Sequence, residues 1–118
     1  MLNDPSIDAL SRFLDVSAFR SGLILSNMAN VDTPGYRTRD VNFSQELERA
    51  ASSPEEAVFS PVARQVGGLI ERPDGNNVNL ERESMLLADT QLRFNACVQL
   101  LRDRFKMLSS AIHEGSAQ

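Results

Sequence analysis

LERESMLLADTQLRFNACVQLLRDRFKMLSSAIH, residues 80–113, decides the fold. Leu80, Leu87, Phe94, Val98, Leu101, Phe105, Leu108 and Ile112 follow in alternating steps of three and four, with Ser84 and Gln91 as the polar members of the series. Such a spacing is the 3.5-residue hydrophobic repeat of a helix that packs along a neighbour. Asn79 stands where an N-cap belongs, Glu81 and Glu83 occupy the first turn, where the helix dipole favours carboxylates, and Gly115 lies just past the other end. A helix from about 79 to 113 is roughly 50 Å long, whereas a compact chain of this size has a radius of gyration of only ~13 to 14 Å. It needs a long partner.

The partner is predicted at the N-terminus. Ile7, Leu10, Leu14, Ile24, Met28 and Val31 keep a helical spacing interrupted by Ser17 and Ser21, and a second row of Phe13, Val16, Phe19 and Leu23 widens the stripe. Asp4 or Asn3 supplies the N-cap and Pro5 the first helical position. This helix is about 25 residues, or roughly 38 Å. The fold class is therefore mainly α: an elongated, coiled-coil-like antiparallel pair of long N- and C-terminal helices around an irregular middle segment. Part of the second seam stays uncovered, and a heptad face without cover implies another chain.

The first helix leaves through SNMANVDTPGYRTRD, residues 26–40. Thr33-Pro34-Gly35-Tyr36 suits a type II turn, with Pro34 presetting φ and Gly35 where φ must be positive. The residue before a proline avoids the α region, so the helix ends before Thr33, and Asn30 or Asp32 can bond the backbone groups freed there. Tyr36, Arg37, Arg39 and Asp40 follow as an amphipathic ring and a mixed-charge extended strip suited to lying on a neighbouring surface.

Between the helices, residues 37–43 read as extended and 44–51 as a short helix capped by Asn42 or Ser44. Pro54, Pro61, Gly67, Gly68, Pro73 and Gly75 cut the rest into short pieces. In RPDGNN, residues 72–77, Pro73 presets φ while Gly75, Asn76 and Asn77 tolerate left-handed backbone. The expected organisation is residues 1–50 for the N-terminal helix and its exit, 51–77 for a short irregular middle, and 78–118 for the heptad helix.

Little in the chain suggests chemistry. With 118 residues, 42% hydrophobic and 24% charged, it fits one folded domain. A net charge of −4 without a basic block makes nucleic acid a poor partner. The N-terminus has neither the positive region nor the apolar core of a cleavable secretory signal, and no stretch approaches the ~20 apolar residues of a membrane span. The single cysteine, Cys97, excludes an internal disulfide or a cysteine-based zinc cluster and reads as a small buried thiol beside the seam. His113 complements the dipole at a helix end, and the carboxylates scatter along helices as a solvated face does. The glycines of VGGLIERPDG lack the Lys and Ser or Thr of a phosphate loop. No catalytic, cofactor-binding or metal-ligating residue is assigned.

NMANVDTPGYRTRDVNF, residues 27–43, resembles the N-terminal signature of bacterial flagellar rod and hook proteins, carried here by Asn27, Ala29, Asn30, Asp32, Thr33, Pro34, Gly35, Tyr36 and Arg37. Residues 72–112 are similar to the C-terminal region of proximal rod members, and their Arg-Phe-Lys-Met-Leu run at 104–108 fits these better than FlgC-type neighbours. Asn79 stands where such relatives often carry Asp, and residues 51–71 match no pattern of the family and are shorter than in many relatives. The resemblance implies a non-catalytic motility protein, exported by the flagellar type III apparatus without a cleaved signal to the basal-body rod within the periplasm. It further implies an inner coiled-coil layer of a hollow axial structure that transmits torque and continues the export channel, with no cofactor. Implied partners are copies of itself, FlgC-like and FlgF-like rod proteins, and the membrane-ring and export-gate junction including FliE. On this reading Asn27, Asn30, Asp32 to Arg37, Arg39 and Asp40 form a subunit contact. The packing seam would be Ile7, Leu10, Leu14, Leu80, Leu87, Phe94, Val98, Leu101, Phe105, Leu108 and Ile112. The rival reading is a soluble helical-hairpin adaptor or export chaperone that offers the same uncovered seam to one client; a small acid/base enzyme would need its carboxylates clustered.

Overall fold

Asp4 starts the first helix of the computed structural model, which describes residues 4–52 and 61–116. Its carboxylate accepts from the Ser6 backbone N at 2.9 Å and from Ser6 Oγ at 2.7 Å, and Pro5 fills the first turn, where its missing N–H costs nothing. Helix α1 then runs over Pro5–Ala29. Asn30 closes it: its side-chain Nδ2 donates to the Ser26 carbonyl at 2.8 Å, and its own carbonyl accepts from Thr33 N at 3.0 Å. The predicted reversal follows, with Tyr36 N donating to Thr33 O at 3.2 Å and Gly35 at a φ of 75°.

Beyond the turn, β1 (Arg39–Asp40) pairs antiparallel with β2 (Arg64–Gln65), Arg39 opposite Gln65 and Asp40 opposite Arg64. Helix α2 occupies Phe43–Ser52, and of the two predicted caps Asn42 serves, its Oδ1 accepting from Gln45 N at 3.1 Å. Residues 53–60 of the predicted irregular middle lie outside the described residues. Helix α3 covers Leu80–Ser116, and Asn79 caps it by accepting from Arg82 N at 3.0 Å. Gly115, expected past the end, is inside this helix; the last turns project into solvent, where nothing forces the chain to reverse.

Three contacts fix α1 antiparallel to α3. Arg104 Nη2 donates to Ser6 Oγ at 2.7 Å, the Cys97 thiol to the Leu10 carbonyl at 3.4 Å, and Asn27 Nδ2 to Glu83 Oε2 at 3.1 Å. These contacts trace the stripe that α3 turns toward α1. Half-buried Leu87, Phe94, Leu101 and Leu108 form one row of it, and its other row is Glu83, Thr90, Cys97 and Arg104. Leu80, Phe105 and Ile112 are exposed instead, and Val98 is half-buried on the flank. The observed stripe, at 83, 87, 90, 94, 97, 101, 104 and 108, keeps the same alternation of four and three, so the period read from the sequence holds and only one of its two rows differs. Of that second row Glu83, Cys97 and Arg104 bond to α1 and Thr90 is buried, while Phe105 and Ile112 remain outside.

On α1, Ile7 and Ile24 are buried while Leu10 and Leu14 are half-buried. The second row packs elsewhere. Val16 and Leu23 form a cluster with Val41, surrounded by Phe19, Phe43, Leu47 and Ala63, and the Phe13 and Phe43 rings lie 4.8 Å apart at a tilt of 59°. Helix α1 thus stands between α3 and a smaller layer made of α2 and the β ribbon. Arg20 on α1 grips Asp40 on β1 with two 3.0 Å bonds, and the buried Glu46 of α2 accepts from Val62 N at 3.3 Å, joining both parts of that layer.

The result is a rod of 71 × 27 × 18 Å with a radius of gyration of 18.6 Å. At 37 residues α3 outruns the 25 of α1, and beyond the Arg104–Ser6 contact its last turns carry Phe105, Met107 and Ile112 into solvent. Met85, Leu92 and Leu100 add a further exposed apolar row farther back on the same helix.

Candidate assembly interface

At the end where α1 stops and α3 begins, two loops lock together. Asn27, in the last turns of α1 and 1% exposed, uses every hydrogen-bonding position of its amide. Nδ2 donates to the Arg39 carbonyl at 2.8 Å and to Glu83 Oε2; Oδ1 accepts from Arg39 N at 3.1 Å and from the Tyr36 hydroxyl at 3.0 Å. One side chain therefore fixes the helix end, the β1 strand, the turn aromatic and α3. Glu83 is fully buried, and its other oxygen accepts from Arg82 Nη1 at 2.8 Å, so the carboxylate enters the interior with both oxygens occupied.

The loop before α3 completes the lock. Asn76, fully buried, donates from Nδ2 to the carbonyls of Asn30 at 2.9 Å and Thr33 at 2.8 Å, adding a second bond to each of two carbonyls already engaged in the turn. Its Oδ1 accepts from Val78 N at 2.8 Å. Asn77 accepts from Thr38 N at 2.6 Å through Oδ1 and from Thr38 Oγ1 at 3.2 Å through its carbonyl. Arg72 reaches the Val78 carbonyl at 2.9 Å with one guanidinium nitrogen and the Val31 carbonyl with the other. Gly75, at a φ of 86°, lies so close that a Cβ there would sit 3.3 Å from Gly35 Cα, and Gly35 N donates to the Asp74 carbonyl at 2.9 Å. Glycine is favoured at both positions by positive φ, 75° at Gly35 and 86° at Gly75, and at Gly75 also by the approach of the Gly35 backbone.

The predicted contact residues divide between two directions. Asn27, Tyr36 and Asp40 turn inward, Tyr36 bracing its own chain through Asn27 and, at 3.3 Å, Ser26. Asn30 is the half-buried cap. Asp32, Thr33, Pro34, Gly35, Arg37 and Arg39 face solvent, with Arg37 held to Glu71 at 3.1 Å. Asn76 and Asn77, which tolerate left-handed backbone, have negative φ; their amides act as internal connectors. Arg72, Thr38, Asn76, Asn77 and Glu83 are the members of this site that sequence reading missed. The available signal was two adjacent asparagines placed after, rather than at, the glycine that already makes the turn.

The arrangement is a rigid, solvent-facing loop platform at one end of a helical rod and a bare apolar helix at the other. No family model matches the chain. Among curated proteins it is similar to the flagellar basal body rod protein FlgB of Salmonella typhimurium, at 30% identity covering 93% of this chain and 97% of that protein. The FlgB of Bacillus subtilis is 27% identical over 93% of this chain and 95% of its own length, and that of Cereibacter sphaeroides 35% identical over 79% and 82%. Similarity that runs through both helices and the locked loops between them places the chain in the FlgB family of flagellar basal body rod proteins.

Proposed function

We propose that this protein is a non-catalytic structural subunit of the flagellar rod, built into a hollow axial assembly that transmits torque and continues the export channel. The observation that carries the reading is the mismatch of α1 and α3 in a chain similar to rod proteins along nearly its whole length. The long helix presents Met85, Leu92, Leu100, Phe105, Met107 and Ile112 to solvent, an apolar surface that other subunits would cover. The solvent-facing turn residues Asp32 to Gly35, with Arg37 and Arg39, form the second contact. Partners are copies of itself, FlgC-like and FlgF-like rod proteins, and at the inner end the export-gate junction with FliE. The subunit reaches the periplasm by the flagellar type III route.

The test is complementation. In a flagellated species made non-motile by deletion of its own FlgB, this chain restores basal bodies that contain it, whereas deletion of residues 33–36 leaves the protein expressed but absent from basal bodies. Normal swimming of the deletion strain would sink the proposal.

A further inference from the structure

Among the described residues, the hydroxyls of Ser17 and Thr90 are the buried side-chain groups that make no hydrogen bond. Ser17 is 1% exposed and Thr90 2%. A serine or threonine inside a helix can donate to the carbonyl four residues back, as the solvent-facing Ser84 does to Leu80 at 2.9 Å. Neither buried hydroxyl does so.

The two belong to one level of the α1–α3 seam. On α1, Leu10, Ser17 and Ile24 recur two helical turns apart and so share a face; on α3, Glu83, Thr90 and Cys97 do the same. The Cys97 thiol bonds the Leu10 carbonyl at one end of this stretch, and Glu83 accepts from Asn27, just past Ile24, at the other. In an antiparallel pair fixed at those two levels, the middle members Ser17 and Thr90 come opposite each other.

A hydroxyl taken out of water without a replacement bond opposes burial, and water would satisfy both groups as soon as α3 parted from α1. The neighbouring level behaves differently. Around Asn27 and Glu83 the polar atoms are bonded, so parting there breaks buried hydrogen bonds. At Ser17 and Thr90 parting breaks none of their own and offers new ones.

Independently of the rod-subunit reading, we propose that Ser17 and Thr90 form an opening point built into the subunit. Helix α3 parts from α1 as far back as Thr90 while the Asn27–Glu83 end stays closed. Opening bares Leu10 on α1 and Phe94 and Leu101 on α3, all half-buried in the closed pair, so its frequency sets how often the seam is available to another chain.

The experiment is amide hydrogen exchange of the full-length chain, followed by NMR, together with urea unfolding of Thr90→Val, Ser17→Ala and the double variant. Valine keeps the shape and nearly the helix propensity of threonine, and Ser109→Ala on the exposed side of α3 reports what a serine-to-alanine change contributes by propensity alone. In wild type, amides of residues 90–97 are expected to exchange about tenfold faster than those of 84–87 after correction for intrinsic rates. Thr90→Val should slow residues 90–97 about fivefold or more, and Ser17→Ala should raise the urea midpoint beyond the effect of Ser109→Ala. The double variant should combine both gains. Equal exchange of the two segments in wild type overturns the opening point. Unchanged or faster exchange in Thr90→Val, a lowered midpoint or failure to fold overturns it as well, because each shows the hydroxyl to be satisfied in the closed pair. Ser17→Ala no more stable than Ser109→Ala overturns the pairing of the two positions.

Discussion

Asn27 and Glu83, 56 positions apart in the chain, share a buried 3.1 Å hydrogen bond that ties the end of α1 to the first turn of α3. The bond closes a polar cluster in which the Asn27 amide is fully used, so removing it strands several buried partners. Asn27→Ala leaves Arg39 N, its carbonyl and Glu83 without that amide. Its expected cost is about 2 to 4 kcal/mol in urea unfolding at nearly unchanged m-value. Glu83→Gln, which can still accept from Asn27, should cost less, and the double variant should fall short of the sum of the two.

Gly75→Ala tests the contact of the two loops. The new methyl meets Gly35 Cα in a backbone conformation that L side chains rarely adopt, and the expected loss is about 1 to 3 kcal/mol. Chemical denaturation measures it, and the adjacent solvent-facing turn should become more open to proteolysis at Arg37.

Arg20 and Asp40 hold the β ribbon on α1 through a two-pronged, largely shielded ion pair. A double-mutant cycle of Arg20→Ala and Asp40→Ala should return a coupling of about 1 to 2 kcal/mol, more than exposed pairs of the kind formed by Asp89 and Arg93. If the coupling vanishes in dilute salt, the pair contributes nothing to docking the ribbon.

Asp4 provides a pH-dependent element. The Ser6 hydroxyl and backbone N–H bonds hold its carboxyl below the ordinary value of 3.8, assisted by the Arg104 charge. A folded-state pKa below the unfolded one means stabilisation that is fully present above pH 3.8 and is lost as pH falls through the lower folded value. Asp4→Asn keeps a capping side chain without the charge. Its helical circular dichroism should therefore lose the part of the acid titration that wild type shows below pH 3.8.

Cys97 should react slowly. Burial raises its thiol above the usual range, and the S–H is engaged with the Leu10 carbonyl. Labelling by a disulfide reagent at neutral pH is expected on the order of a hundredfold slower in the native protein than in urea.

The helix pair, its direction and its unequal lengths were legible because they rest on strong local signals: Asp4-Pro5, Asn79 with its acidic first turn, and long apolar periodicities. The turn at Pro34-Gly35 was equally local. What was not legible is the face of α3 that meets α1. Leu80, Phe105 and Ile112 look no different from Leu87 or Leu101 in sequence, and the row that joins Leu87 and Leu101 against α1 holds Glu83, Thr90, Cys97 and Arg104, which hydropathy alone does not select. The polar lock was hidden for a different reason. Asn76 and Asn77 have the chemistry of turn formers, and their use as connectors depends on Asn30, Thr33 and Thr38, some forty residues away, which no local pattern announces.

The placement of that lock at one end of the pair gives the molecule a mechanical direction. The beginning of α1 is held to α3 by the half-buried contacts of Asp4 and Ser6 with Arg104, whereas its end is riveted by the buried Asn27, Glu83 and the joined loops. A pull applied to the N-terminus therefore unzips the helices progressively from the weak end and meets the riveted end last. Reassembly can run in reverse, with the clasp setting the register before the long helices close.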